Sequence, residues 1–119
     1  DLGMAVRESE AEQLKDYRGT CPFMAPELLA ALRRDGPPPY TRALDAYALG
    51  ITLVQLLLGC VPHEELFFQH APPSEEHMAA WIAYMLDRDP LEMYAERELW
   101  AEAGVDPDHE LVQLVQALI

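Results

Sequence analysis

Gly19-Thr20-Cys21-Pro22-Phe23-Met24-Ala25-Pro26-Glu27 is the stretch on which the reading of this chain turns. Its glycine and first proline favour a turn, and Pro26 suits the first turn of a helix, where its missing N–H costs nothing. Glu27-Leu28-Leu29-Ala30-Ala31-Leu32 continues that helix, and Asp35-Gly36-Pro37-Pro38-Pro39 ends it. Upstream, residues 1–27 are charged and lack apolar periodicity, so they read as a loop, with a short strand expected near Met4–Val6. Downstream, Thr41 or Arg42 leads into a long apolar helix that Gly59 and Pro62 close.

No charged residue occurs from Ala46 to Pro62. A membrane span needs about 20 apolar residues. This run is shorter and carries Gly50, Thr52 and Gln55, so it reads as the buried axis of a globular domain. The second half reads as three further helices. Ser74 is the expected N-cap of the first, with Glu75 and Glu76 at its positive end, and Met78, Trp81, Ile82 and Met85 fall on one face. Asp89-Pro90 opens the next, with Leu91, Tyr94 and Leu99, ending near Gly104. Asp106-Pro107 opens the last, with a stripe of Leu111, Leu114, Val115 and Leu118. These stripes read as core.

Of the 119 residues half are hydrophobic, which argues against disorder, and the formal charge is −13 with Lys15 the single lysine. Phosphate backbones need clustered Lys and Arg, so no nucleic-acid partner is expected. A basic peptide is a better match to this charge. Residues 75–110 hold eleven acidic side chains against Arg88 and Arg97, and a solvated face explains them at least as well as a basic substrate. Cys21 and Cys60 form no disulfide framework. His63, His70 and His77 recur every seven residues, a spacing unlike the close pairs of zinc sites, and are not read as metal ligands. Both ends, Asp1 and Leu118-Ile119, look cut, so a piece of a longer protein is expected.

The opening stretch resembles the end of a protein-kinase activation segment, whose pattern is G-T-x-x-[YF]-x-A-P-E. Asp1-Leu2-Gly3 resembles the D-F-G loop in a form common in serine/threonine kinases. Asp45-Ala46-Tyr47-Ala48-Leu49-Gly50 looks like the D-x-W-x-x-G start of the central kinase helix, with Tyr47 in place of Trp. Gly59-Cys60-Val61-Pro62 matches the G-x-x-P that follows. Four motifs in family order imply a protein-kinase-like α+β fold, of which this chain would be the mainly α-helical C-lobe portion with its activation loop. The implied layout is an activation segment at 1–27, a short helix and loop at 28–41, a central buried helix at 42–59, and C-lobe helices at 74–119. The N-lobe and catalytic loop would be absent.

The resemblance also assigns roles. Asp1 would bind the magnesium that bridges ATP phosphates, a hard cation that wants carboxylate oxygen. Gly3 would give that loop its freedom, and Leu2 would complete an apolar stack. Thr20 would hydrogen-bond the catalytic aspartate and a lysine, and it points to Ser/Thr substrates. Cys21, Pro22, Phe23 and Met24 would form the ledge that receives the residue after the phosphorylated hydroxyl. Glu27 would pair with a buried arginine, which this sequence lacks downstream. Asp45 would accept backbone N–H bonds from the catalytic loop. Thr52 and Leu56 would lie under the adenine-side stack, where Thr52 departs from the apolar pattern.

Asp16 stands where many kinases carry a phosphorylated Thr or Ser, and would supply a fixed, weaker negative charge. Ser9 and Tyr17 are further candidate phosphosites. No catalytic base is expected within this segment. The implied function is transfer of the ATP γ-phosphate to protein Ser or Thr by the intact kinase, with ATP and Mg2+ as cofactors, a protein substrate of basic character, and a fragment inactive alone. The alternative is a pseudokinase, the same fold kept as a binding or regulatory module. Neither reading fixes an oligomeric state.

Overall fold

The computed structural model of the protein describes residues 3–70 and 76–119. Asp1, Leu2, Ser74 and Glu75, which the sequence marks as a metal ligand, a stack residue, a helix cap and a first-turn acid, lie outside those residues. Six α-helices are present among the described residues: α1 Pro26–Arg33, α2 Arg42–Leu58, α3 Pro62–His70, α4 His77–Arg88, α5 Arg97–Glu102 and α6 Glu110–Leu118. Three 3-10 turns accompany them, Glu8–Gln13 and Cys21–Phe23 ahead of α1 and Pro90–Ala95 between α4 and α5. No strand occurs among the described residues, so the short strand expected near Met4–Val6 is not formed. Met4 and Val6 are exposed there, with no neighbouring extended segment to receive their N–H and C=O groups.

Helix α2 organises the rest. Its N-cap Thr41 is extended, and Gly59 ends it at a left-handed φ of 75°, donating its N–H to the Gln55 carbonyl at 2.9 Å. Leu44, Tyr47, Gly50, Ile51 and Val54 are buried, at the spacing of a single helical stripe. The opposite face is open: Leu49 is 52% and Leu56 75% exposed, and Thr52 bonds back to the Ala48 carbonyl at 2.8 Å. The helix expected to be buried all round over 42–59 is therefore buried on one side. A helix with neighbours on one flank can bury only that flank, and α6 and the Cys21–Phe23 turn pack against α2.

Two apolar clusters meet along this stripe. The upper end, Leu44, Tyr47 and Ile51, packs with Met24, Leu28 and Leu29 of the α1 region, Phe67 of α3, and Trp81, Ile82 and Met85 of α4. The lower end, Val54, packs with Tyr94, Trp100, Val112 and Val115. Leu29, Ile51, Trp100 and Val112 are fully buried, and each such side chain gains roughly 2 kcal/mol over staying in water. Between α2 and α6 the contact is close. A Cβ on Gly50 would stand 2.6 Å from Ile119 Cγ2, so the absence of a side chain there lets the end of α6 come down onto α2.

Several details depart from the sequence pattern. The helix expected from Asp89-Pro90 to near Gly104 is split at the extended Glu96 into the 3-10 turn Pro90–Ala95 and α5. Pro62 does not only close α2; it also opens α3, whose amides of Glu64 and Glu65 return to the Val61 carbonyl at 3.0 and 3.2 Å. The last helix starts at Glu110 rather than after Asp106-Pro107. Asp106 caps a turn by accepting the Asp108 N–H at 2.9 Å, and His109 Nδ1 accepts the Leu111 N–H at 3.1 Å. Its buried pair is Val112 and Val115, while Leu111 and Leu114 are 38% and 43% exposed. With only nine residues, α6 presents about two turns, and its phase is set by the tight approach at Gly50. Met78 likewise lies outside its stripe, with Trp81, Ile82 and Met85 buried.

Among the described residues no single helix is long and apolar enough to cross a membrane. The pair α2 and α3 passes by composition only when joined across an 82° bend.

Candidate functional site

Residues Cys21–Phe23 form one 3-10 turn, fixed internally by Phe23 N–H to the Thr20 carbonyl at 2.9 Å and Met24 N–H to the Cys21 carbonyl at 3.2 Å. Pro22 is buried, and Cys21 and Phe23 are half-buried. Met24 and Ala25 are buried beneath, and α1 follows at once with Pro26 in its first turn. The turn packs against α2.

On the solvent side, this turn and the start of α2 border one open cleft of about 570 Å3. Thr20, Phe23 and Asp45 line it, with Met4, Val6 and Leu14 from the upstream segment and Tyr40 and Leu44 from the α2 approach. Thr20 and Asp45, distant in sequence, thus line one cleft. Both are exposed, so the Thr20 hydroxyl and the Asp45 carboxylate are available to a further group. Gly3 lies at the exposed start of the same segment.

The upstream segment is held by side chains rather than by regular structure. The Tyr17 hydroxyl donates to the Gly36 carbonyl, and the Tyr40 hydroxyl donates to the Asp16 carbonyl at 2.6 Å. Burial pushes the Tyr40 hydroxyl above its usual range, so it remains a donor. Arg42 pairs with Glu8 across the mouth of the cleft. Asp16 itself is exposed and uses its backbone here; no cation pairs with its carboxylate among the described residues. Ser9 is exposed within the Glu8–Gln13 turn. Phosphate on Tyr17 would remove its bond to Gly36.

Beneath the turn lies a polar group that sequence reasoning set aside. His63 is fully buried. Its Nε2 stands 3.3 Å from the Pro22 carbonyl, which can only accept, so Nε2 carries the proton. Nδ1 is then free to accept from the Tyr94 hydroxyl at 2.6 Å, and that same hydroxyl lies 3.4 Å from the His63 backbone N–H. The ring also tilts against Trp81 at 5.7 Å. Trp81 Nε1–H donates to the adjacent Cys21 carbonyl at 3.1 Å. Two neighbouring carbonyls of the turn therefore each receive a ring N–H from below.

Burial lowers the His63 pKa from 6.5 to about 4, against the bond to Pro22, which acts the other way. Burial likewise drives the Tyr94 and Tyr47 hydroxyls above their usual range. Tyr47 Oη is buried without a hydrogen-bond partner among the described residues. Glu27, expected beside a buried arginine, is exposed, and its charge raises the Tyr47 pKa further.

His77 rests edge-on to Phe68 on the surface, and the His70 side chain lies outside the described residues. Among those residues no group of three His, Cys, Asp or Glu side chains could hold a metal ion. A magnesium held by one carboxylate together with phosphate oxygens and waters needs no such group. Of the residues marked in the sequence, the fold brings Thr20, Phe23 and Asp45 to one cleft and leaves Asp16 and Glu27 on the surface. His63 and Tyr94 were missed, because a lone histidine after a Pro carries no signal until its partners from 31 and 41 residues away are known.

Comparison with known proteins identifies the family. The protein kinase domain family matches residues 1–118, and the chain belongs to that family. It is 32% identical over 91 residues to serine/threonine/tyrosine-protein kinase HT1 of Arabidopsis thaliana, covering 76% of this chain and 20% of that protein. It is 35% identical over 86 residues to serine/threonine-protein kinase chk-1 of Caenorhabditis elegans, covering 70% and 15%. To serine/threonine-protein kinase 32B of Homo sapiens it is 38% identical over 64 residues, covering 54% and 15%. The chain thus spans a fifth or less of the length of these relatives. No solved structure matches it. The described residues are the mainly helical, strand-free part of a kinase fold.

The buried, neutral imidazole makes stability depend on pH in a definite direction. Between pH 6.5 and about 4 the unfolded chain binds a proton at His63 and the folded chain does not. Stability from this group is complete above pH 6.5 and falls as pH drops towards 4, by roughly 3 kcal/mol in full. Urea unfolding at pH 7, 6 and 5 should show the protein losing stability relative to His63→Gln. Parallel loss in both proteins would mean that the imidazole is not buried as a neutral group.

Proposed function

We propose that this chain is the substrate-side part of a protein kinase that transfers the γ-phosphate of ATP to serine or threonine hydroxyls of protein substrates. The observation that carries this reading is the common cleft of Thr20 and Asp45 in a chain of the protein kinase family. Phosphoryl transfer depends on positioning and charge more than on covalent chemistry, so a wall that aligns acceptor and catalytic loop is a functional part.

In this reading the Asp45 carboxylate accepts backbone N–H bonds from the catalytic loop and holds it over the start of α2. The Thr20 hydroxyl orients the catalytic base, and the Cys21–Phe23 turn is the ledge for the residue after the phosphoacceptor. Asp1 would hold magnesium, which supplies neutralisation of phosphate charge when bound. The H-R-D-x-x-x-x-N loop and the Gly-rich loop do not occur in these 119 residues. The isolated chain would therefore supply a ledge and a loop support without a base. The net charge of −13 favours a substrate with Lys or Arg near its acceptor.

The protein that carries this chain, given ATP, Mg2+ and a serine peptide flanked by arginines, should transfer labelled phosphate. Thr20→Val should lower kcat/KM about tenfold or more, the loss of one catalytic hydrogen bond, and the 119-residue chain alone should transfer none. Transfer by the isolated chain would overturn the assignment, and a folded parent that binds partners without any transfer would make it a pseudokinase.

Asp16 supplies the standing negative charge of the activation segment in place of a phosphate. It carries one charge, on the surface, so its effect is small. Asp16→Ala should reduce activity of the parent roughly threefold, as expected for an exposed ion pair, and unchanged rates at low salt would remove it from the site.

A further inference from the structure

His63 plays no part in the cleft chemistry above, yet it is the buried polar side chain with the closest relation to the proposed ledge. The Cys21–Phe23 turn faces the cleft with Thr20 and Phe23 and turns two successive carbonyls inward, to Trp81 Nε1 at 3.1 Å and His63 Nε2 at 3.3 Å. Pro22 has no N–H, and a single 3-10 turn has weak internal bonds. What fixes its height over α2 is therefore the pair of ring donors below it.

Tyr94 decides whether the His63 donor points at Pro22. By giving its hydroxyl proton to Nδ1 at 2.6 Å it keeps the imidazole in the tautomer whose Nε2 is protonated. Tyr94 is itself anchored through its carbonyl, which accepts from Trp100 Nε1 at 3.1 Å and from Gln116 Nε2 at 3.0 Å. A continuous set of hydrogen bonds thus runs from the α5–α6 region through Tyr94 and His63 to the carbonyl of Pro22. A purely apolar residue at position 63 would fill the space but leave the Pro22 carbonyl without its donor and the Tyr94 hydroxyl proton without its acceptor in a buried site.

We propose that His63, oriented by Tyr94, is a positioning residue of this kinase: it sets the height and rigidity of the Cys21–Phe23 ledge and thereby the affinity for the peptide substrate, without touching substrate or nucleotide. The link to substrate rests on the kinase reading above; the link from His63 to the turn does not. Because the ledge meets the peptide and not ATP, the effect belongs in the peptide KM.

The test uses the protein that carries this chain and three variants, Tyr94→Phe, His63→Phe and His63→Gln. Tyr94→Phe removes one hydroxyl and keeps the ring, so it is the variant that preserves the fold. Hydrogen exchange at the Phe23 and Met24 amides is measured beside α6 amides as a reference. Peptide and ATP kinetics are measured with a single-serine peptide flanked by arginines. In Tyr94→Phe and His63→Phe the Phe23 and Met24 amides should exchange about tenfold faster, the scale of one hydrogen bond lost, with α6 unaltered. The peptide KM should rise about tenfold, while kcat and the ATP KM stay within about twofold. His63→Gln, whose amide can donate to Pro22 and accept from Tyr94, should recover most of both effects.

Unaltered exchange at Phe23 and Met24 in folded Tyr94→Phe overturns the proposal. Faster exchange with an unchanged peptide KM, in an enzyme that transfers phosphate, overturns its link to substrate. If the unmodified protein transfers no phosphate, the kinase reading fails separately, and the exchange data still decide whether His63 holds the turn.

Discussion

Two inward-facing carbonyl oxygens, on Cys21 and Pro22, impose the constraint around which this part of the molecule is arranged. Neither can be left dry and unpaired in an apolar interior, where the cost is on the order of 1–3 kcal/mol each. Within the turn the Cys21 carbonyl receives the Met24 N–H at 3.2 Å, and the Pro22 carbonyl depends on a donor from outside. The further donors come from the rings of Trp81 and His63. These belong to α4 and α3, so both helices must be docked before the turn has its final shape. The aromatic packing of Phe67, Trp81 and Tyr84, with centroids 5.3 to 5.8 Å apart, fixes those rings in turn. Packing in the base thus becomes geometry at the cleft.

The same economy explains the two faces of α2. Its buried stripe joins both cores, upper through Leu44, Tyr47 and Ile51, lower through Val54. Its first turn carries Asp45 out to the cleft. A helix clamped along one whole side is a stiff support, and the acid at its start inherits that stiffness. The upstream segment is different in kind. Between Met4 and Gly19 no residue is buried, and its hold on the base runs through Tyr17, Tyr40 and the Glu8–Arg42 pair. Exposed ion pairs contribute little, so this wall of the cleft is the easier one to reshape. That contrast, firm ledge against adjustable segment, suits a part whose state can be controlled.

Much of this was legible in the residues. The block ending Ala25-Pro26-Glu27, the charge-free stretch from Ala46 and the Gly59 stop carry local chemistry that survives in any context: a proline in a first helical turn, a buried stripe, a glycine at positive φ. What was not legible depends on phase and on distant partners. The buried face of α6 runs through Val112 and Val115, whereas the sequence pattern reads as Leu111, Leu114, Val115 and Leu118, because six apolar residues in nine allow either choice until Gly50 fixes the approach. Helix α3 was hidden because Pro62 served equally well as an end and as a beginning. His63 looked like one of three evenly spaced histidines, whereas its partners are a carbonyl from the opening stretch and a hydroxyl from a 3-10 turn well downstream.

The most direct measurement is the nitrogen NMR spectrum of the His63 imidazole, recorded from pH 7 to pH 5. Protonated Nε2 and bare Nδ1, unchanged across that interval, are the expected result for a ring locked between the Pro22 carbonyl and the Tyr94 hydroxyl. An imidazole that titrates near the ordinary 6.5, or that averages both tautomers at pH 7, would contradict the claim that this ring holds the turn.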